Sequence, residues 1–544
     1  MSSGTATSVA RAAGLIAAAT LLARVAGFAR TLVFSGAVGT AVVGDTYQSI
    51  NMLPNIVYEV AAGGVLAAVA VPLVAGRLAL GQQREADQAA SALLTWAVVV
   101  LTPLALLLAV GAPWVSRALL GSSAGADEVD LGSRMLVLFA PQVLLYGVGI
   151  VLAGVLQARR RFLAAAFAPL LSSVVVIAAY LAYAAVAGTP ATAGAVSAGS
   201  VWVLAGGTTL GVVVLSLPLL VPVLRAGVRL RPSLRFPDGL ARRAGSLAAA
   251  GVLALVAQQA AVFTTVWVTH HRTSAVGAVN VFTYVQAVYL LPYAVLAVPV
   301  ATSAFPALAH SLAAPTADQG TAARDTLARA LQAILLLTAG AAAVLMAVSR
   351  PVGAFFTALD RGAHHGGGPA LAALPGTLSA YAPGVVGFGV AALLTRALYV
   401  RGRPLYAALA VAAGWALAAL VPLLLVPQDS GPRTTLGVLG VASTAGMTVT
   451  AVLLAVLVRR SWGPEALAGC ARTLKTTVVG VAVAILVGDV VARVLGGVSL
   501  WGAMAAGVAT AAATAAAYAG VVVLVDRSVL ATLRGRWQLR RTAA

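Results

Sequence analysis

The sequence has very little charge and almost no cysteine. Charged residues make up 9% of its 544 residues and hydrophobic residues 61%, whereas soluble globular proteins carry about 25% charged residues. This composition excludes an ordinary soluble enzyme or secreted domain and predicts that most of the chain lies in a membrane. The single cysteine, Cys470, excludes a disulfide framework and a cysteine-based metal or iron–sulfur site.

Acidic residues and lysine are scarce as well. The chain has 15 Asp and Glu residues against 35 Lys and Arg residues, Lys475 is its one lysine, and the formal net charge is +20. A nucleic-acid partner would require a basic face on a soluble domain, and no stretch between the apolar runs is long enough to form one. The loops also lack metalloprotease, P-loop, nucleophile-elbow and paired-carboxylate motifs. The sequence therefore predicts no nucleic-acid partner, no enzymatic activity and no cofactor.

Long apolar runs dominate what is present. A helix crosses a bilayer core of about 30 Å with about 20 mostly apolar residues, and about 14 such runs are bounded by charged or Gly/Pro/Ser-rich loops. The predicted fold is an all-α polytopic membrane protein with about 14 transmembrane helices. The runs cover residues 10–35, 43–75, 90–112, 132–157, 163–186, 198–224, 245–269, 276–304, 328–349, 377–400, 405–426, 435–458, 476–495 and 500–525.

The basic residues predict the orientation in the membrane. If the N-terminus is cytoplasmic, 25 of the 35 basic residues fall inside, seven fall outside and three lie within spans. Such a bias obeys the positive-inside rule. We therefore predict a multi-pass protein of the bacterial plasma membrane with both termini cytoplasmic. The basic loop 225–243 and the tail after Asp526 are expected to lie against anionic membrane lipids.

Several features recur along the chain at offsets of 234–242 residues. Such duplication is common in transporters, where a cleft between the two halves forms the substrate path. The sequence predicts two six-helix lobes, residues 1–243 and 244–475, followed by two further helices within residues 476–544. The recurring pairs are Thr46-Tyr47 with Thr283-Tyr284, Leu53-Pro54 with Leu291-Pro292, Val71-Pro72 with Phe305-Pro306, and the turn Arg159-Arg160-Arg161 with Arg401-Gly402-Arg403.

Ionisable side chains inside spans mark candidate functional positions, because each costs at least about 2.5–3.5 kcal/mol at mid-bilayer without a partner or a wet cavity. Arg24 and Arg30 lie in the first span and can flank one cavity at different depths. Asp45, at the start of the second span, is a candidate partner for Arg30. These residues predict either a cationic site for an anionic headgroup or a structural ion pair that ties the two spans together.

The second span is unusually polar. Asn55, Tyr58 and Glu59 follow Asn51, and Pro54 removes a backbone hydrogen-bond donor among them. Bent helices at membrane depth are tolerated where they line a cavity. We predict that this span forms a gate, with a kink that serves packing alone as the alternative.

The remaining polar residues are interpreted as structural. Asp489 and Arg493 have the i,i+4 spacing of a helical ion pair. No carboxylate accompanies the histidines at metal-ligand spacing. We therefore predict surface positions for His270, His271, His364 and His365.

Four segments share their pattern with one family of membrane proteins. They are the stretch Leu22 to Arg30, Gly44-Asp45-Thr46-Tyr47 followed by Leu53-Pro54-Asn55, Gly63-Gly64 with Val71-Pro72, and the stretch Arg161 to Pro169. In these segments the sequence resembles the MurJ/MviN family of lipid II flippases, part of the multidrug/oligosaccharidyl-lipid/polysaccharide exporter superfamily. The family's architecture of two six-helix lobes plus two C-terminal helices agrees with the repeat.

The resemblance implies an alternating-access flippase of peptidoglycan biosynthesis. Its substrate would be lipid II, an undecaprenyl-pyrophosphate-linked precursor, moved from the inner to the outer leaflet, and its partners would include cell-wall synthesis proteins. Arg24, Arg30 and Asp45 match the helix-one arginines and helix-two aspartate of the family. No cofactor is implied, and the expected driving force is the membrane potential or an ion gradient.

Two arginines of the family are replaced. Tyr58, beside Glu59, stands where the family usually has an arginine after L-P-N, and its helix-eight arginine falls near Ala287. The less cationic cavity leaves two alternatives open, an exporter of another polyprenyl-linked glycan and a non-transporting scaffold of cell-wall assembly. An exporter of drug-like cations is disfavoured because the deep charges are arginines. The predicted substrate-binding residues are Arg24, Arg30, Asp45, Asn55, Tyr58 and Glu59.

Overall fold

In the computed structural model, the chain is built from α-helices. The structure describes residues 3–60, 67–188, 192–235, 240–273, 275–313, 317–497 and 499–525. The helices are α1 Ser3–Ala37, α2 Val42–Tyr58, α3 Ala67–Ala79, α4 Gln83–Val110, α5 Ala112–Leu120, α6 Ala126–Phe139, α7 Pro141–Ala158, α8 Phe162–Val186, α9 Ala198–Val201, α10 Gly207–Ser216, α11 Leu220–Arg225, α12 Leu240–His271, α13 Ala278–Pro292, α14 Val298–Ala313, α15 Ala317–Ala347, α16 Ser349–Leu359, α17 Gly368–Leu371, α18 Leu374–Tyr381, α19 Gly384–Val400, α20 Pro404–Leu425, α21 Pro432–Trp462, α22 Cys470–Val494 and α23 Leu500–Val525.

The described residues confirm an all-α, multi-pass membrane fold. They contain 12 helical segments long and apolar enough to cross a membrane, or 13 if Gly368–Tyr381 and Gly384–Val400, bent by 45°, form one span. The predicted second span, residues 43–75, corresponds to α2 and α3 on either side of residues 61–66, which lie outside the described residues. The observed number agrees approximately with the predicted 14.

Local sequence explains where the helices begin and end. α20 begins with a proline at its first position, where no intrahelical N–H is needed. α21 ends at Trp462 because Gly463 adopts φ 94°, a conformation that a residue with a Cβ adopts only at a cost. Within some apolar runs the helix changes pitch, as at the π-helical turns Trp202–Gly206 and Tyr293–Ala297.

The described residues form two compact units, residues 1–280 with 360–368, and residues 281–359 with 369–544. In the first unit α3, α4 and α7 pack together around residues such as Leu93 and Leu152. In the second unit α14, α15, α19 and α21 share a core that includes Leu327, Leu394 and Leu454. The units are defined by packing, whereas the predicted lobes are defined by a sequence repeat and stay a prediction.

The two C-terminal helices pack within the second unit. α22 and α23 contact each other and α15, and the Tyr518 hydroxyl donates a hydrogen bond of 2.8 Å to the Leu336 carbonyl. The predicted ion pair is confirmed, with Arg493 at 2.7 Å from Asp489, and Arg350 also reaches Asp489 at 3.1 Å.

Part of the predicted basic loop 225–243 runs in extended form along α4. On α4 every fourth residue is polar, at Asp87, Ser91 and Thr95. Their side-chain oxygens accept hydrogen bonds from alternate backbone amides of the loop, those of residues 229, 231 and 233, respectively, at 3.1, 3.0 and 3.1 Å. Val228 is buried in the core of the first unit, while Arg229 is exposed. Contact of this loop with lipid stays a prediction. Residues 236–239 and the basic tail, residues 526–544, lie outside the described residues.

Candidate functional site

The two predicted arginines lie on α1. Arg24 and Arg30 are both exposed, and they belong to the candidate membrane span Ala18–Ala37. At 1.5 Å per residue, Arg30 is about 18 Å from one end of that span and about 10 Å from the other. A guanidinium at such a depth is stable only in a wet cavity, beside a counter-charge or near an anionic ligand.

The polar face of α2 meets a tyrosine of α7. The Asn55 side-chain amide donates to the Asn51 carbonyl at 2.8 Å, and its oxygen accepts a hydrogen bond of 3.0 Å from the Tyr146 hydroxyl. The Tyr58 and Tyr146 rings lie 4.4 Å apart, and Glu59 is half-buried at the end of α2. The structure thus brings three of the predicted residues together with Tyr146.

The α2 helix runs through its proline. Pro54 lies inside α2, which continues to Tyr58, and the next turn widens to a π-type turn at Glu59 and Val60. The irregular backbone therefore follows the Asn55–Tyr146 contact instead of coinciding with Pro54. The predicted gate stays a prediction, because the residues that follow this turn, 61–66, lie outside the described residues.

Buried tyrosine hydroxyls lie near enough to Arg30 to interact with it electrostatically. It includes Tyr146 and Tyr180 of α8. Tyr180 shares a hydrogen bond of 2.9 Å with Tyr47, whose hydroxyl also lies 2.8 Å from Thr208. The Asn55–Tyr146 and Tyr47–Tyr180 contacts thus form a polar cluster on α2, α7 and α8, and Arg30 of α1 lies near enough to interact with its tyrosines electrostatically. Sequence reasoning missed Tyr146 and Tyr180, although hydroxyl-bearing rings in apolar spans were a usable signal.

Asp45 lies apart from this cluster, and its predicted pairing with Arg30 is not what the structure shows. The Asp45 side chain is buried against the backbone amides of Gly277, Val279 and Asn280, at the start of α13, and its Oδ1 atom has no hydrogen-bond partner. The first amides of a helix have no intrahelical acceptor, and the helix dipole favours a carboxylate there. Asp45 therefore lies against the N-terminus of α13.

Two of the four predicted surface histidines, His270 and His271, pack against other side chains. The His270 ring shares a hydrogen bond of 2.7 Å with Ser49, one turn after Asp45, so its prediction as a surface residue was wrong. Sequence spacing did not reveal that the end of α12 packs against α2. His271 stacks on Trp267 with the rings 4.4 Å apart. His364 and His365 are exposed, as predicted.

The corner between α1 and α2 is held by Asp360. This buried carboxylate accepts hydrogen bonds from the Ser35 hydroxyl (2.8 Å), the Thr40 amide (2.9 Å), the Thr40 hydroxyl (2.8 Å) and the Gly362 amide (2.8 Å). The sequence analysis missed this residue, because a single aspartate in a loop carries no periodic signal.

Arg361 stabilises the same corner between α1 and α2. Its guanidinium donates to the Ala37 carbonyl at 3.0 Å and to the Ala184 and Gly188 carbonyls at 3.2 and 2.6 Å. These acceptors lie at the C-terminal ends of α1 and α8, where free carbonyls and the helix dipole favour a cation. The Asp360–Arg361 pair therefore positions the helix that carries Arg24 and Arg30.

Residues 34–507 match the profile of one protein family, described as lipid II flippase MurJ. The chain belongs to this family. The MurJ family consists of transporters, so the chain is of the transporter kind and not an enzyme.

Two relatives of the chain are probable lipid II flippases MurJ. The protein from Rhizobium meliloti (strain 1021) is 28% identical over 346 residues, which are 62% of this chain and 61% of the relative. The protein from Rhizobium tropici is 27% identical over 418 residues, 75% of this chain and 74% of the relative. The chain thus spans about three fifths and three quarters of the lengths of these relatives.

Solved structures show the same fold. A lipid II flippase MurJ in an inward closed conformation superposes with a TM-score of 0.72 at 15% identity, covering 95% of this chain and 99% of the other. An inward-facing multidrug resistance MATE transporter of the MOP superfamily gives a TM-score of 0.63 at 14% identity, covering 82% and 98%. At these identities the likeness concerns the fold alone.

Proposed function

We propose that this MurJ-family protein moves lipid II from the inner to the outer leaflet of the bacterial plasma membrane by alternating access. The observation that carries the proposal is the pair of exposed guanidiniums, Arg24 and Arg30, on a membrane-spanning helix. A pyrophosphate is the part of lipid II that can satisfy both, because charge-assisted hydrogen bonds from arginine to phosphate are strong in a low-dielectric site. The polyprenyl tail stays in lipid.

The charge balance of the site supports an anionic cargo. Arg30 lies near a cluster whose members are hydroxyls and the Asn55 amide, and Glu59 is half-buried at its edge. We propose that the termini are cytoplasmic, as the arginine bias predicts, and that the membrane potential contributes to the driving force. Moving one charge through 100 mV changes the free energy by about 2.3 kcal/mol.

Complementation tests this function. In a bacterium depleted of its own lipid II flippase, the wild type, Arg24→Ala, Arg30→Ala and Arg30→Lys are expressed at matched levels, and lipid II exposed on the outer leaflet is measured. Removal of a charged hydrogen-bond donor costs about 1.5–3 kcal/mol, so Arg30→Ala is expected to lower exposure at least about tenfold. Arg30→Lys retains part of the activity. The control is Arg117→Ala, which removes an exposed arginine of α5.

One observation favours a second candidate cargo. Tyr58 stands where the family usually has an arginine, and its ring pairs with that of Tyr146 at 4.4 Å. Aromatic rings present an apolar face where a guanidinium would present charge, so this position suits another polyprenyl-linked glycan. If a well-expressed wild type fails to restore lipid II exposure, the lipid II proposal is rejected and this candidate is favoured. If Arg24→Ala and Arg30→Ala both complement fully, the arginine site is rejected.

A further inference from the structure

The turn between α7 and α8 carries a neutralised arginine. Arg159 forms an ion pair of 2.6 Å with Asp87 of α4, and the two side chains are 12% and 15% exposed. Its guanidinium also donates to the Ala226 carbonyl at 3.0 Å. Arg159 is thus a structural residue with its charge balanced.

The turn between α19 and α20 has the same backbone. In the first turn the backbone amides of residues 159, 160 and 161 donate to the carbonyls of residues 155, 157 and 156, respectively, at 3.1, 2.9 and 2.8 Å. In the second turn the backbone amides of residues 401, 402 and 403 donate to the carbonyls of residues 397, 399 and 398, respectively, at 3.3, 3.0 and 2.9 Å. The middle residue is left-handed in both, with φ 59° at Arg160 and 67° at Gly402. Arg401 is therefore the counterpart of Arg159.

The surroundings of Arg401 differ from those of Arg159. α4 packs on α7 in the first unit, as α15 packs on α19 in the second. Where α4 supplies Asp87, α15 supplies a second cation, Arg324, which repels Arg401 electrostatically together with Arg403. The Arg401 guanidinium lies 4.3 Å from the centre of the Trp462 ring.

Three arginines thus converge without an ion-pair partner. Within the described part of the chain, Arg324, Arg401 and Arg403 form no ion pair. The Nε atoms of Arg324 and Arg401 are buried without a hydrogen-bond partner, as is that of Arg159, but Arg159 has the Asp87 carboxylate. Desolvation and the two neighbouring cations lower the pKa of Arg401. The Glu465 carboxylate is exposed nearby and forms no ion pair with the three guanidiniums. A bound anion would offset the repulsion among them, because an opposite charge nearby favours the charged form of each group.

We propose that Arg324, Arg401 and Arg403 form a binding site for a phosphate group. Planar guanidiniums match phosphate oxygens in bidentate geometry, and stacking on Trp462 fixes one of them in place. The site lies where α19, α20 and α21 end or begin, which are the ends of candidate spans. The phosphates of lipid headgroups lie at the ends of spans, so an anionic phospholipid and free phosphate share the required chemistry.

The test uses the full-length protein in detergent micelles. Native mass spectrometry measures binding of phosphatidylglycerol, phosphatidylcholine and inorganic phosphate to the wild type, Arg324→Gln, Arg324→Asp and a control, Arg329→Gln, which removes an exposed arginine of the same helix. We expect Arg324→Gln to weaken anion binding about tenfold, which corresponds to about 1.4 kcal/mol. Arg324→Asp restores the arrangement of Asp87 with Arg159, so it abolishes binding without lowering thermal stability.

The outcomes separate the two sources of the phosphate. Binding of phosphatidylglycerol alone identifies a lipid headgroup as ligand, and binding of inorganic phosphate with similar sensitivity to Arg324→Gln identifies a soluble one. The proposal is overturned if neither binds. It is also overturned if Arg329→Gln weakens binding as much as Arg324→Gln does, or if Arg324→Asp unfolds the protein instead of stabilising Arg401. None of these readouts depends on lipid II transport.

Discussion

The Asp360 carboxylate provides a sharp test of how the α1–α2 corner is held. Asp360→Ala removes the acceptor of two buried backbone amides, those of Thr40 and Gly362, and of two hydroxyls, those of Ser35 and Thr40. The hydroxyls can rotate towards other acceptors, whereas the amides are fixed by the backbone. Each buried donor left without a partner costs about 1–3 kcal/mol. For the two amides together we therefore expect a loss of about 2–6 kcal/mol in the free energy of unfolding.

Asp360→Asn separates the contribution of geometry from that of charge. The Thr40 amide, the Thr40 hydroxyl and the Gly362 amide bond to Oδ1, and the Ser35 hydroxyl bonds to Oδ2. An asparagine keeps Oδ1, and its amide can donate to the Ser35 oxygen, so we expect a loss of about 1 kcal/mol.

Thermal unfolding of the purified full-length protein in detergent ranks the variants by their unfolding midpoints. The loss of monodisperse protein on heating is the signal. The control is Asp325→Ala, which removes an exposed aspartate on α15. The expected order of midpoints is wild type and Asp325→Ala highest, then Asp360→Asn, then Asp360→Ala. Equal losses for the two Asp360 variants, or no loss beyond the control, would refute this account of the corner.

Two further predictions concern packing and backbone conformation. A Cβ at Gly414 of α20 would lie 1.9 Å from the Thr450 hydroxyl, so Gly414→Ala is expected to lower the unfolding midpoint. The control is Gly437→Ala, where the Cβ meets no atom within 4 Å, and it should leave the midpoint unchanged or raise it. The reverse order would count against close packing of α20 on α21. Arg160→Gly removes the steric strain of a non-glycine residue in the left-handed region and should stabilise the protein by about 0.5–1 kcal/mol, while Gly402→Ala should destabilise it by a similar amount. Denaturation in a urea series measures both free energies of unfolding. Shifts of the same sign would contradict the conclusion that the two turns share one backbone conformation.

The sequence was sufficient to predict the spans, because a bilayer demands about 20 apolar residues for each crossing and charge or glycine marks each end. It also marked Arg24, Arg30 and Asn55 as candidate site residues, because polar atoms stand out in an apolar run, and their role in binding stays a prediction. The correspondence between the turns at residues 159–161 and 401–403 was visible as an offset before their shared hydrogen bonds were known.

The remaining contacts could not be predicted, because they join distant parts of the chain. Asp360 bonds to Thr40 across 320 positions, and no local pattern announces such a partner. Asp45 was a candidate partner for Arg30 because both lie near one corner in sequence, yet its side chain is buried against the first amides of α13. Tyr146 was overlooked since a tyrosine in a span is usually explained by packing or by an interface position.

The extended segment along α4 restricts which lengths the loop 225–243 can have. Two residues of extended chain advance about 6.6 Å and four residues of helix about 6.0 Å, so the two periodicities remain in step. A one-residue insertion at this segment would turn Val228 outward and Arg229 towards the core, whereas a two-residue insertion would restore the alternation. Loop length in homologous proteins should therefore change here by even numbers, and odd changes should occur only together with loss of Asp87, Ser91 or Thr95.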